Sequence, residues 1–325
     1  MVVLNNIIIM ELYNIKLESI EEIVKDIRLN KIISIDQRGV NIDVLKQINN
    51  SISNSDDIKL ILVCDYTVKV KPDYTNNLEI LLYLNNITKL VVLNHSSIFL
   101  SGLDNIDKID YLEEFTLKGY IKQSIKLNSL SKYNLKLLDL DLNATSSIYH
   151  LISLNKKIEC LRIKSIDIIR IEQNDNLKEL EIKDSVTNYE LINSKFPLLE
   201  TIRLCNVKKI NDFSFFLQLK KIKNISLRNS NITSFPNLNI DKIDRIELIS
   251  NKKLNNISAI LKLKSIMKLF ISQCDMIPSC SLESCVCIEG LEQFYFFSLK
   301  HKVQLMINAK IDESNIKRSS TDFWN

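Results

Sequence analysis

An α/β solenoid, with a parallel β-sheet on its concave face and short helices or 3₁₀ turns on its convex face, is predicted by three observations. The first is an apolar figure, L-x-x-L-x-L-x-x-(N/S/C)-x-L, plainest between Ile210 and Pro278. There Ile243-x-x-Ile246-x-Leu248-x-x-Asn251 is followed by Ile266-x-x-Leu269-x-Ile271-x-x-Cys274. The second is recurrence. The first position of the figure falls at 4, 30, 58, 87, 112, 135, 158, 177, 199, 222, 243, 266 and 291. Almost all of these spacings lie within the roughly 20–29 residues of one stacked strand-and-turn unit. The third is size. At 325 residues the chain exceeds the ~250–300 at which one globular core stops growing, so two domains or a solenoid are expected.

Within the figure the last two apolar positions are two apart, which places them on one face of a strand. The spacings of three on either side suit tight turns and helical or 3₁₀ pieces. One unit cannot bury its apolar face alone, so neighbours stack and share a core. Taken in order, Leu4-x-x-Ile7-x-Ile9-x-x-Leu12 reads as a weak first strand and residues 17–29 as a helix. Ile33-x-Ile35 is the second strand, with a short helix in VNIDVLKQI behind it. Ile58-x-x-Ile61-x-Val63 is the third, followed by Pro72 and a helix-like pattern over 73–84. Further strands carry the pairs Leu90/Val92, Phe115/Leu117, Leu138/Leu140, Leu161/Ile163 and Leu180/Ile182. The last five carry Ile202/Leu204, Ile225/Leu227, Ile246/Leu248, Leu269/Ile271 and Phe294/Phe296. Early units have room for a true α-helix on the outer face, later ones only for a 3₁₀ turn or a short helix. Residues 1–29 read as an N-terminal cap or degenerate repeat, 30–300 as the solenoid and 301–325 as a C-terminal cap or tail.

This pattern resembles the leucine-rich repeat. The later units are similar to the roughly 22-residue class known from internalins and from a regulatory subunit of protein phosphatase 1. The resemblance implies a curved parallel sheet whose concave face takes a protein partner, in a non-catalytic interaction module. Its alternative is an adaptor or regulator of an enzyme such as a ubiquitin ligase or phosphatase. The asparagine position, where a short polar side chain satisfies backbone groups in the turn, is held by Asn143, Ser185, Ser230, Asn251 and Cys274. In two units it is held by Ile166 and Val207. A β-branched apolar residue cannot make that contact, so those two turns are expected to be irregular.

Side chains between the apolar strand positions alternate onto the concave face. The middle column across the strands runs Thr116, Asp139, Arg162, Glu181, Arg203, Ser226, Glu247, Phe270, Tyr295. Beside it lie a column ending in Cys205, Arg228, Ile249, Ser272, Phe297 and one ending in Thr201, Asn224, Arg245, Lys268, Gln293. Arginine and aromatic residues are enriched at interface hot spots. The candidate partner-binding residues are therefore Arg162, Arg203, Arg228, Arg245, Phe270 and Tyr295, with Phe297 beside them. Because they point away from the shared core, their truncation is expected to cost no more than about 0.5 kcal/mol of stability.

Other function classes find little support. A net charge of +4 gives no warrant for nucleic-acid binding. No P-loop, G-x-G-x-x-G or H-E-x-x-H is present, and His95, His150 and His301 adjoin no recognised nucleophile motif. Asp139 and Asp141, paired on one strand face, read as solvated acids. The seven cysteines include one cluster, Cys274, Cys280, Cys285 and Cys287, whose spacing lacks the paired C-x-x-C of a structural zinc site. Cys285 and Cys287 read as alternate residues of a strand. Neither metal nor other cofactor is expected, and no disulfide. The opening MVVLNNIIIMEL is a poor signal peptide, and no run approaches the ~18 apolar residues of a membrane span. The expectation is a cytoplasmic monomer with a protein partner and no role at a membrane.

Overall fold

The computed structural model describes residues 3–4, 7–8, 20–36, 42–64, 78–95, 100–121, 127–210 and 212–317. Two short strands, β1 (Val3–Leu4) and β2 (Ile7–Ile8), pair antiparallel as a separate two-stranded sheet. The expected single first strand over 4–12 is thus replaced by this pair, and residues 9–12 lie outside the described residues. Then follow α1 (Ile20–Asn30), β3 (Ile32–Asp36), α2 (Ile42–Ser51), β4 (Lys59–Cys64), β5 (Lys89–Asn94) and β6 (Glu114–Gly119). The order continues with β7 (Leu137–Asn143), α3 (Ser146–Leu154), β8 (Cys160–Asp167), β9 (Glu179–Thr187), α4 (Ile192–Lys195), β10 (Thr201–Cys205) and β11 (Asn224–Arg228). It closes with β12 (Lys242–Ile249), α5 (Ser258–Leu261), β13 (Ser265–Ser272), α6 (Ser279–Cys285), β14 (Gln293–Phe297) and α7 (His301–Asp312). Strands β3 to β14 form one twelve-stranded sheet in sequence order. Between them lie short helices and 3₁₀ turns such as Leu103–Lys108 and Ser214–Gln218. The chain packs as two compact units, Met1–Arg162 and Ile163–Asn325.

In the first unit the row Ile33, Leu60, Leu90, Phe115 and Leu138 runs across β3 to β7 in register and is buried throughout. Helices α1 and α2 turn Ile20, Val24, Ile27 and Val44, Leu45, Ile48 inward at helical spacing. The third strand corrects the sequence reading by one residue. Leu60 and Leu62 are its core positions, while Ile61 pairs with Ser34 and Val91 on the opposite face. KLILVC is apolar without alternation after its first residue, so periodicity cannot choose a face, and a one-residue slip exchanges the two. Where β6 ends, Tyr120 N–H donates to the Asn94 carbonyl at 2.8 Å. A Cβ on Gly119 would sit 2.0 Å from that oxygen, and its φ is +98°, so only glycine fits there.

In the second unit the inward rows are Leu180, Ile202, Ile225, Ile246, Leu269, Phe294 and Ile182, Leu204, Leu227, Leu248, Ile271, Phe296. Four successive strands from β10 leave the sheet through a residue with positive φ: Asn206, Asn229, Ser250 and Gln273. Each donates its N–H to the carbonyl at the end of the following strand, at 2.8–2.9 Å. The turn at Val207 is one of these, so the expected irregularity is absent: the backbone of the preceding Asn206 makes the bend. At Ile166 the strand instead runs on to Asp167 with Ile166 buried. Asn143 closes β7 and is exposed. Asn251 fulfils the expected role. Its Oδ1 accepts from Ser230 N–H (2.9 Å) and Oγ (2.7 Å), and its Nδ2 donates to the Leu227 carbonyl (2.8 Å). Asn251→Ala leaves those buried groups without partners and is expected to cost about 1–3 kcal/mol, read as a lower urea midpoint.

Candidate functional site

The face of the second unit opposite the core rows carries the columns expected from the sequence, in the expected register. Glu181, Arg203, Ser226, Glu247, Phe270 and Tyr295 stand opposite one another from β9 to β14. Thr201, Asn224, Arg245, Lys268 and Gln293 lie on one side of them, and Cys205, Arg228, Ile249, Ser272 and Phe297 on the other. Strand pairing at about 4.8 Å brings charges from adjacent columns into contact.

The middle of this face is closed rather than exposed. Arg203 is 8% accessible, Phe270 3% and Glu247 0%, which corrects the expectation that all six candidates sit on a solvated surface. The cause is mutual covering by neighbours in the same sheet. Arg228 donates from Nη2 (2.9 Å) and Nε (3.2 Å) to Glu247 Oε2, which also accepts from the Ser226 hydroxyl. The other carboxylate oxygen faces Arg245 Nη2 at 3.7 Å. The Arg245 guanidinium lies 4.3 Å from the centre of the Phe270 ring, and Phe270 meets Tyr295 at 6.1 Å between centroids. Burial lowers the Arg245 pKa from its ordinary value, with Glu247 opposing that shift and Arg203 and Arg228 adding to it. Arg203 is held by Glu179 and lies 3.9 Å from Glu181. Three arginines are therefore balanced by three glutamates.

Arg162 belongs to the first unit. Its Nη1 is 3.7 Å from Asp139 Oδ2, which Lys118 Nζ approaches to 2.7 Å. Asp139 is 1% accessible, so it is a buried ion-pair partner and not the solvated acid expected. Glu179, Glu181 and Glu247, which hold or face the arginines, are not among the candidate residues expected from the sequence. The signal was available in the alternation of sign between adjacent columns, because opposite charges on neighbouring strands attract. Toward the end of the sheet accessibility returns: Tyr295 and Ile249 are half-buried and Phe297 is 39% accessible.

The cysteines separate by burial. Cys285 ends helix α6 and is buried, and Cys287 follows it in an exposed turn, so the expected strand positions are corrected. Two residues apart fits a helix end as readily as a strand. Burial pushes the thiols of Cys205 and Cys274 up to about 11 and that of Cys285 up to about 12. The thiolate is the reactive form. At pH 8, iodoacetamide is expected to modify exposed Cys280 and Cys287 first and to spare Cys205, Cys274 and Cys285 in the folded chain. Peptide mapping that finds these three alkylated as fast as the exposed pair contradicts the packing. Among the described residues no three His, Cys, Asp or Glu side chains are grouped to hold a metal ion, and no helix is long and apolar enough to cross a membrane.

No family model matches the chain, and no curated protein matches it. Among solved structures it is similar to an internalin (inlF) from Listeria monocytogenes str. 4b F2365. The TM-score is 0.52 and the identity 14%, with 95% of this chain and 94% of that one covered. At that identity the likeness speaks for the fold alone, and the fold is an α/β leucine-rich-repeat solenoid.

Proposed function

We propose that the chain is a non-catalytic protein-binding module, and that the second unit takes its partner on the sheet face bearing Arg203, Arg228, Arg245, Phe270 and Tyr295. The observation that carries this reading is the fixed array on that face. The side chain of Arg228 is 32% accessible and held by Glu247, so its rotamer is set before any partner arrives. Preorganisation of this kind lowers the entropic cost of association. Beside it Phe297, Tyr295 and Ile249 supply apolar area. Arg203 and Phe270, both buried, support the array from beneath, and direct contact falls to Tyr295, Phe297 and the outer edge of Arg228. Arg162, in the first unit, is proposed as a contact of the same kind on its own strand.

The test is affinity capture from the native host with the intact chain and with a Tyr295→Ala/Phe297→Ala variant. A stoichiometric protein held by the wild type is expected to bind the variant at least about 30-fold more weakly, since a hot-spot truncation costs roughly 2 kcal/mol or more. The variant should melt within a few degrees of the wild type. A partner retained in full by a folded variant moves the site elsewhere.

A further inference from the structure

Strand β14 is an outer strand of the twelve, and its sequence Gln293-Phe294-Tyr295-Phe296-Phe297 is aromatic at four of five positions with no charge. Outer strands present unpaired N–H and C=O groups, and natural sheets blunt them with charge, proline or a covering segment. Here neither charge nor proline is present, and the covering is supplied by helix α7 and the segment after it, as far as Lys317. Lys317 forms a parallel bridge with Gln293. Its N–H donates to the Glu292 carbonyl at 2.9 Å, and its carbonyl accepts from Phe294 N–H at 3.2 Å. Further along, a side chain takes the place of a strand. Gln304 Nε2 donates to the Phe296 carbonyl at 2.8 Å, and its Oε1 accepts from Ser298 N–H at 2.6 Å. The same Nε2 donates to Asn308 Oδ1, one helical turn on, at 3.0 Å, which fixes the amide in its orientation. This cover is shallow: Ile307 and Ile311 are the buried residues of α7, while Leu305 on the same helix is 56% accessible.

We propose that α7 together with Ser314–Lys317 is an edge guard, and that β14 released from it pairs with β14 of a second copy of this chain. The strand is self-complementary in the required way. An antiparallel pairing about a two-fold axis at Tyr295 sets Gln293 against Phe297 and Phe294 against Phe296, so no like charges meet. Phe294 and Phe296 are also the residues whose backbone groups face outward, as their bonds to Lys317 and Gln304 show. That register therefore brings the bonding groups of the two strands together.

The experiment uses the full chain and measures mass by light scattering over a concentration series. The wild type is expected at the mass of one chain. A Gln304→Leu/Lys317→Pro variant, which loses three of the four guarding bonds, is expected at twice that mass. Adding Tyr295→Lys places two like charges on the two-fold axis and is expected to restore the single-chain mass. If the double variant does not melt cooperatively, Gln304→Glu reports the same release. It keeps the side-chain length but turns a carboxylate toward the Phe296 carbonyl, and doubling of its mass supports the proposal. A single-chain mass for the folded guard variants overturns it, as does association that Tyr295→Lys leaves unchanged.

Discussion

Glu247→Ala is expected to destabilise the second unit by about 3–5 kcal/mol, the range seen when one partner of a buried ion pair is removed. The carboxylate is fully inaccessible and is flanked by Arg228 and Arg245, with the Ser226 hydroxyl donating to it. Truncation leaves two guanidinium groups close together without their common anion, and Arg245 is itself mostly buried. A denaturant midpoint is the direct measure. Arg228→Ala alone should cost less, because a side chain that is 32% accessible is partly solvated and its loss leaves Arg245 facing the carboxylate. Replacing the triad together, Arg228→Met with Glu247→Leu and Arg245→Met, is expected to recover most of the loss, since buried ion triads exchanged for apolar residues of similar volume are often neutral or better. A midpoint for Glu247→Ala within 0.5 kcal/mol of the wild type, on the scale of ordinary surface sites, removes the carboxylate from this structural role.

The strands were legible because the figure repeats its own alternation. In Ile246-x-Leu248 or Leu269-x-Ile271, two core residues enclose one outward residue, and only a strand places them so. Legibility failed where the alternation did. The run LILVC of β4 has no polar residue, and the face was settled by pairing with Ile33 and Leu90 on either side. The turn after β10 is illegible for a different reason. Its bend rests on the αL backbone of Asn206 and not on the side chain of Val207, so the residue at the asparagine position did not report on the geometry. The accessibility of the outward columns was not legible at all from single strands. An outward side chain is covered by its neighbours on adjacent strands, and those neighbours lie more than twenty residues away in sequence, as with Ser226, Glu247 and Phe270.

Phe270→Ala follows from that last point, and it reverses what the sequence led us to expect of this residue. The ring points away from the core rows, in register with Glu247 and Tyr295, yet it is 3% accessible. Removing it strips the Arg245 guanidinium of the aromatic face it lies on at 4.3 Å and Tyr295 of its neighbour at 6.1 Å. The expected cost is about 3 kcal/mol, the lower end of the range for buried Phe→Ala, because water can enter the space left on this face. Leu269→Ala, at a fully buried core position, should cost about 2–5 kcal/mol by leaving a closed cavity. The two losses are thus comparable in size and differ in character. Phe270→Leu, which keeps much of the covering volume, should recover more than half of the Phe270→Ala loss, and the remainder measures the cation–π and ring contacts, each worth roughly 0.5–2 kcal/mol. A Phe270→Ala midpoint indistinguishable from the wild type, alongside a clear loss for Leu269→Ala, means that neighbouring strands do not close over this ring in solution. Partner contact would then extend across Phe270 and Arg245 as well as Tyr295 and Phe297.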